Sequence, residues 1–229
     1  MNVLLLRSRD GGQPYLDRMH LEGWTSECFE PVSYTFHGQE PMRASLRRPD
    51  QYGGLVITSP RTLEAWRRDP ESREALRAWA DKPAFAVGPR TAHEARELGL
   101  TPAGSEARGA DALAGFIGRN PPSKPLLFCC GEPRRPELVG GLSAAGVEVD
   151  VVSVYASHLA SASPDTVPDW VVFFSPRAGA LRHTWVWPWG AIRQAWVGKT
   201  ASALAPPGAV TADYHDVDGL VQGIIGASD

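Results

Sequence analysis

The chain has 229 residues, 23 Lys and Arg against 26 Asp and Glu, a net charge of −3 and 43% hydrophobic residues. That balance gives no bulk electrostatic reason to expect nucleic acid, and the length fits one large domain or two of roughly 100–120 residues. Cys28, Cys129 and Cys130 form neither a disulfide framework nor a metal-ligand spacing, and the apolar run Val3–Leu6 is too short for a signal peptide or a membrane span, so a reduced, soluble, cytoplasmic protein is expected.

Taken in chain order, the predicted strands are Val3–Leu6, Ser26–Phe36, Leu55–Thr58, Ala84–Val87, Pro125–Cys129, Val147–Tyr155, Trp170–Phe174, Gln194–Val197 and Ala209–Ala212. Most are bounded by Gly, Pro, Asp or Ser, and several are apolar on both faces, as buried parallel strands are. Helical patterns fall between them, at Pro14–Glu22, Thr62–Arg68, Glu71–Ala80, Thr91–Leu98, Pro136–Ala145 and Thr200–Leu204. Strand alternating with helix predicts α/β architecture, with parallel sheets covered by helices on both faces. Two predicted strands, Glu27–Phe36 and Val147–Ser157, exceed the usual five or six residues and suit a pair of connectors between domains.

The chain also repeats itself. Gly54-Leu-Val-Ile-Thr-Ser-Pro-Arg61 returns as Trp170-Val-Val-Phe-Phe-Ser-Pro-Arg177, Phe85-Ala-Val-Gly88 as Ala195-Trp-Val-Gly198, and Asp111–Ile117 as Asp218–Ile224. The spacing between copies shortens slightly at each step while their order is kept, which fits one duplicated unit with small deletions. The units Leu16–Glu30 and Leu138–Val152 match as well, each running from a helix through a glycine into a strand. Two similar half-chains predict two similar domains with a ligand cleft between them.

In open parallel sheets, ligands bind beyond the carboxyl ends of the strands and against the first turns of the following helices. Six polar turns fall there: Arg7-Ser8-Arg9, Thr58-Ser59-Pro60-Arg61, Gly88-Pro89-Arg90-Thr91, Gly131-Glu132-Pro133-Arg134-Arg135, Ser175-Pro176-Arg177 and Gly198-Lys199-Thr200. Each Ser-Pro-Arg turn reads as a sound helix start, with serine at the cap and proline at the first helical position. Taken together, the six read as a rim of amides, hydroxyls and guanidiniums for an anion with several carboxylates. Tyr155, on one connector, is either an ordinary strand tyrosine or a proton donor to a departing group. The run His183-Thr-Trp-Val-Trp-Pro-Trp-Gly190 is either an aromatic flap over a flat ligand or a loop packed onto a helix. No Walker or dinucleotide pattern follows Gly11-Gly12, and no nucleophile elbow or acidic cluster for magnesium occurs. No metal or organic cofactor is expected.

The sequence resembles the uroporphyrinogen-III synthase family over nearly its whole length. The resemblance rests on Val3-Leu-Leu-Leu-Arg7, Tyr52-Gly-Gly-Leu-Val-Ile-Thr-Ser-Pro-Arg61, Ala86-Val-Gly88 with Thr91, Leu126-Leu-Phe128 with Gly131, Val154-Tyr155, Phe173-Phe-Ser-Pro176 and Val197-Gly198. It implies two flavodoxin-like domains joined by a two-stranded ladder. One would be discontinuous, residues 1–34 with 158–229; the other would span 38–153, with 32–37 and 153–158 as connecting strands.

The implied reaction is cyclisation of hydroxymethylbilane to uroporphyrinogen III. Water is lost to give an azafulvene, and ring D inverts through a spirocyclic intermediate. The implied partners are that substrate and, in transient hand-over, hydroxymethylbilane synthase, with neither nucleic acid nor membrane. By position Tyr155 matches the family tyrosine associated with hydroxyl departure, and Thr91 matches a cleft threonine whose nearest second-copy counterpart is Thr200. Where the family commonly reads Gly-Pro-Thr-Thr-Ala, this chain has the shorter Gly198-Lys199-Thr200-Ala201. The rival readings are a non-catalytic tetrapyrrole-binding or regulatory protein, and a hinged binder of other small molecules.

Overall fold

Short runs of apolar residues, four or five long and cut by Gly, Pro or a capping hydroxyl, set the length of most strands; the strand over Val149–Leu159, with 11 residues, is the long one. The computed structural model describes residues 1–134, 136–213 and 216–228. The chain opens with β1 (Asn2–Leu6), α1 (Arg9–Leu21) and β2 (Thr25–Phe29). The single strand expected over Ser26–Phe36 is broken at Glu30-Pro31, and β3 (Val32–Phe36) follows separately. Proline brings no N–H to a ladder, so the run cannot pass through Pro31 as one central strand.

Next comes α2 (Gln39–Leu46), which the sequence reading did not include. Gly38 enters it at φ 67°, and a Cβ there would lie 2.2 Å from the carbonyl oxygen of Ser153. Glycine alone tolerates both conditions. The chain continues through β4 (Gly54–Ile57), α3 (Pro60–Arg68), α4 (Pro70–Leu76), β5 (Pro83–Ala86), α5 (Gly88–Glu97), β6 (Thr101–Ala103), α6 (Ala110–Gly118), β7 (Leu126–Glu132), α7 (Glu137–Ala144) and β8 (Val149–Leu159). It closes with β9 (Trp170–Phe173), α8 (Pro176–Gly179), β10 (Arg193–Val197), α9 (Lys199–Ser202), β11 (Val210–Ala212) and α10 (Val217–Ser228).

The chain divides into two compact units, residues 1–33 with 158–229 and residues 34–157. The first holds a five-stranded sheet in the order β11-β10-β9-β1-β2; the other sheet is six-stranded, β3-β8-β7-β4-β5-β6. Apart from the pairing of β3 with β8, neighbouring strands in both sheets run parallel. β3 is the added edge strand. Hydrogen bonds from Ala160 N to the Pro31 carbonyl and from His37 N to the Val154 carbonyl order β3 antiparallel to β8.

In chain order the five-stranded sheet reads 2-1-3-4-5, the flavodoxin-like arrangement. Without β3, the second sheet has the same spatial order, but its chain begins at the strand equivalent to β9. The duplication is therefore present twice in space and circularly permuted in sequence. In each sheet the strand order reverses at one point: between β1 and β9 in the first unit, between β7 and β4 in the second.

Both faces of each sheet are buried. In the first unit Val3, Leu5, Val172, Ala195 and Val197 meet Met19 of α1 and Leu220, Val221 and Ile224 of α10. On the opposite face Leu4, Leu6, Val171, Phe173 and Trp196 meet Leu181 and Trp185. In the second unit Leu55, Ile57, Leu127 and Cys129 pack under Leu63, Trp66, Leu76 and Trp79, while Val56, Phe85, Leu126 and Phe128 pack under Leu113, Ile117, Leu138 and Leu142. Each such aliphatic or aromatic side chain contributes about 1.5–3 kcal/mol of burial. The buried Trp79 indole also donates to the Leu46 carbonyl at 2.8 Å, which ties α2 to the core.

One ion pair sits within this packing. Asp69 caps α4, accepting from the Ser72 N–H at 2.9 Å and from its hydroxyl at 2.5 Å. Both its oxygens also take bonds from the Arg43 guanidinium, at 2.5–3.1 Å. The Arg43 bonds hold the Asp69 carboxyl far below the ordinary carboxylate range.

Candidate active site

In the second unit the strand order reverses between β4 and β7, and the polar residues that follow these two strands meet there. After β4 come Thr58 and Ser59. Pro60 occupies the first helical position of α3, where its missing N–H would be unpaired in any case. The Ser59 hydroxyl accepts from the Arg61 N–H at 3.2 Å. The Thr62 hydroxyl, fully buried, donates to the Cys129 carbonyl at 3.0 Å and fixes the start of α3 against β7.

β8 delivers Tyr155 to this point by an irregularity. Its register with β7 pairs Cys130 with Ser153 but Gly131 with Tyr155, so Val154 is an extra residue, a bulge in a parallel pair. The bulge re-aims the strand end and lays the Tyr155 ring over Gly131. A Cβ on residue 131 would stand 2.1 Å from Cε2 and 2.7 Å from the phenol oxygen. Glycine is thus the only residue type that fits beneath the ring.

The Tyr155 phenol stands close to Ser59 and Arg61. Burial pushes its pKa above the ordinary tyrosine value, against the opposing pull of Ser59 and Arg61. The phenol therefore keeps its proton throughout the neutral range and can donate it. Tyr34 and Phe36 of β3 hold the ring from the side, with centroids 6.1 and 6.4 Å away. The Arg61 guanidinium lies 4.2 Å from the Tyr34 ring centroid and bonds Glu64 at 2.5 Å. A cation next to an aromatic face in a partly desolvated setting is favourable by about 1–2 kcal/mol.

A cavity of about 330 Å³ opens beside the phenol, lined by Thr58, Ser59, Gly131, Arg134 and Tyr155, with Cys130, Gly109 and Ala110 among the rest. Of the residues singled out in the sequence, these first five converge. Arg61 borders the same tyrosine. Gly88 and Thr91 sit one strand further along the same edge, at the start of α5. Gly88 has φ 78°, and Thr91 is buried with only 4% exposed, so it belongs to the helix packing more than to the cavity wall. Arg135 lies outside the described residues.

Sequence reasoning missed Tyr34, and it missed the turn Gly109-Ala110 that opens α6. The second had a signal, a glycine two residues before the repeated Asp111 stretch. Tyr34 had none, because its value lies in a partner on another strand.

Burial raises the Cys130 thiol, against the opposing pull of Arg134. Its neighbour Cys129, fully enclosed, is pushed up to about 12. Neither is a thiolate at neutral pH, which fits their reading as small core residues. Among the described residues no three of His, Cys, Asp or Glu stand together as a metal site, and no helix is long and apolar enough to cross a membrane.

The first unit presents its own set at the equivalent strand ends. Arg7 follows β1, with its guanidinium 4.4 Å from the Phe174 ring and 5.3 Å from the Tyr15 ring. Gly11 and Gly12, which suggested no nucleotide motif, have a packing reason. A Cβ on Gly11 would lie 2.5 Å from the Arg7 guanidinium, and one on Gly12 would lie 2.1 Å from Cys28 Sγ. Ser8 precedes α1 with no side-chain cap bond. Ser175 caps α8, accepting from the Ala178 N–H at 3.1 Å, with Arg177 in the same turn. Gly198, at φ 88°, turns β10 into α9 and leaves Lys199 and Thr200 exposed.

The family model described as uroporphyrinogen-III synthase HemD matches residues 26–187. Among solved structures, the chain is similar to uroporphyrinogen-III synthetase from Helicobacter pylori 26695, with 15% identity, 98% of each chain covered and a TM-score of 0.62. It is similar also to a variant uroporphyrinogen III synthase from the extreme thermophile Thermus thermophilus, with 17% identity, 100% of this chain and 98% of that one covered, and a TM-score of 0.61. At such identities the likeness establishes the shared two-sheet α/β fold.

Proposed function

This chain belongs to the uroporphyrinogen-III synthase family of cyclising lyases, and from that premise we propose that it closes hydroxymethylbilane to uroporphyrinogen III with inversion of ring D, using Tyr155 as the hydrogen-bond donor to the departing hydroxyl. The observation that carries this reading is the phenol: half-buried, with that burial favouring its protonated form, close to Ser59 and seated over Gly131 beside a polar cavity.

As the ring A carbon–oxygen bond breaks, the leaving oxygen takes a proton from the phenol and departs as water, leaving the phenolate and an azafulvene protonated on its ring nitrogen. The substituted carbon of ring D attacks it to form the spirocyclic pyrrolenine. Fragmentation and reclosure reverse ring D, and the proton released on rearomatisation restores the phenol. The bilane closes unaided to the unflipped isomer, so the enzyme must outrun that route. A hundredfold preference requires only about 2.7 kcal/mol of differential barrier, which positioning and fixed dipoles can supply without a strong nucleophile.

The remaining assignments concern the substrate's acetate and propionate groups. In the six-stranded unit, Thr58, Ser59, Arg61, Gly88, Thr91, Gly131, Arg134 and Arg135 are assigned to them. By equivalence of strand ends, so are Arg7, Ser8, Ser175, Arg177, Gly198, Lys199 and Thr200. A monomer working in the cytoplasm, with transient hand-over from hydroxymethylbilane synthase, completes the proposal.

The test is a coupled synthase assay with the product isomers separated by chromatography. Isomer III in excess supports the proposal; isomer I alone reduces the chain to a non-catalytic binder of the same fold.

A further inference from the structure

The tryptophan-rich segment finds no use in the proposed reaction, and its structure divides it in two. Trp185 packs: its indole donates to the Ala160 carbonyl at 3.2 Å, and its ring meets Phe29 edge-on at 5.2 Å. Trp187 bridges from it to Trp189, with centroids 4.9 and 5.5 Å apart. Trp189 donates to the Trp185 carbonyl at 3.2 Å, and its ring contributes to the wall of a cavity of about 440 Å³.

That cavity lies wholly within the five-stranded unit, at the starts of β9 and β10, where Trp170, Arg193 and Gln194 line it with Arg182, Trp189 and Pro207. These are the amino ends of strands whose carboxyl ends carry Ser175 and Gly198, so the cavity is separate from the edge assigned above.

Two polar groups on its wall are left without protein partners. Gln194 is 8% exposed, on the same face of β10 as the core residue Trp196, and its Oε1 is buried with no hydrogen bond. The Nε of Arg182 is likewise buried and unbonded. An apolar side chain would suit that face of the strand better, because a buried amide without a partner is a net loss to folding. The Gln194 amide can rotate about its last bond and turn either its carbonyl or its NH₂ toward the cavity. Arg193 is exposed at the mouth, with its guanidinium 5.9 Å from the Trp170 ring centroid.

We infer that this cavity is a second small-molecule site, one that takes a flat heteroaromatic ring bearing an N–H and a carboxylate. Trp189 and Pro207 offer the apolar walls, with the edge of the buried Trp170 at the base; the Gln194 carbonyl, turned to the cavity, accepts the ring N–H, and Arg182 with Arg193 takes the carboxylate. The volume suits one or two fused rings and is too small for a tetrapyrrole.

The experiment uses the full chain with ¹⁵N-labelled tryptophan and three probes: indole-3-acetate, indole and phenylacetate. Indole-3-acetate is expected to move the Trp170 and Trp189 indole N–H signals saturably. Indole, which lacks the carboxylate, and phenylacetate, which lacks the N–H, should each bind at least about fivefold more weakly. Gln194→Leu should weaken indole-3-acetate about tenfold while melting no lower than the parent, and Arg182→Gln should weaken it by a similar factor even if Gln194→Leu does not fold. Both variants should keep wild-type synthase turnover. No saturable shift up to about 10 mM, or wild-type affinity in either folded variant, would overturn the site.

Discussion

The two units carry the same serine-capped turn at the same topological point and differ in what stands opposite it. β1 pairs Asn2 with Thr25, and β7 pairs Leu126 with Val149, so the strand ends can be laid side by side. Beyond Leu6 stands Arg7; beyond Cys130 stands Gly131. Beyond Phe29 the partner strand stops at Glu30-Pro31; beyond Ser153 it bulges at Val154 and presents Tyr155. One lobe thus offers a guanidinium packed on Phe174, the other a phenol lying on a glycine. Duplication kept the helix caps, which any α/β unit needs, and let the strand ends diverge, where a substrate would be met.

The largest expected effect tests whether the lobes are energetically separate. Asp69→Ala removes the cap of α4 and its bonds from Arg43, which keeps Glu71 and Glu40 as partners, at about 2–4 kcal/mol. Hydrogen exchange should show lost protection in residues 34–157 and little change in residues 1–33 and 158–229; a uniform loss would make the molecule one cooperative unit. The native Asp69 carboxyl titrates well below its unfolded value of about 3.9. Its contribution is therefore complete above that pH and fades as the pH falls further toward the native value. Asp69→Asn should flatten this acid limb in pH-dependent melting.

Next in size, Tyr155→Phe should lower kcat about 10- to 100-fold with KM little changed. Gly131→Ala should lose at least as much, because the new methyl must displace the ring. If both variants turn over normally, the lobe with the phenol is not the catalytic one.

A smaller effect divides the two caps. Ser59→Ala and Ser175→Ala should each cost about 1 kcal/mol of stability in chemical denaturation. Only Ser59→Ala should also reduce kcat, because of the two caps only Ser59 lines the cavity beside the phenol. Equal kinetics in the two variants would erase the contrast between the lobes. Smallest of all, Arg61→Ala and Arg177→Ala should raise KM by about three- to tenfold in steady-state assays, the size expected for one exposed charge-assisted contact.

Much of the fold could be read from order and punctuation. The Ser-Pro-Arg and Val-Gly repeats, the runs apolar on both faces and the glycines after helices point to two parallel-sheet units, and the family model and the two sheets agree. What could not be read depends on partners distant in sequence. Pro31 sits in a β-rich run, and only the ladder makes its missing N–H end β2. α2 is short and polar, and its stability comes from Met42 and Leu46 meeting the core. Gly131 looked like a turn glycine; its reason is an aromatic ring 24 positions later, brought back by a one-residue bulge. Tyr155 was legible as a candidate through family likeness, whereas its place beside Ser59 and its contact with Tyr34 were not. The tryptophans were legible as an oddity, and only their indole bonds separate the packed Trp185 from the cavity-lining Trp189.

The permuted connectivity has a consequence for synthesis on the ribosome. β1 lies in the middle of its sheet, between β2 and β9, and its neighbour β9 begins at Trp170. The first 33 residues must therefore emerge and wait, without a complete sheet to join, while the contiguous stretch 34–157 is translated and can acquire its own core. The lobe bearing Tyr155 can assemble during elongation, and the lobe bearing Arg7 closes only after β9, β10 and β11, residues 170–212, have been made.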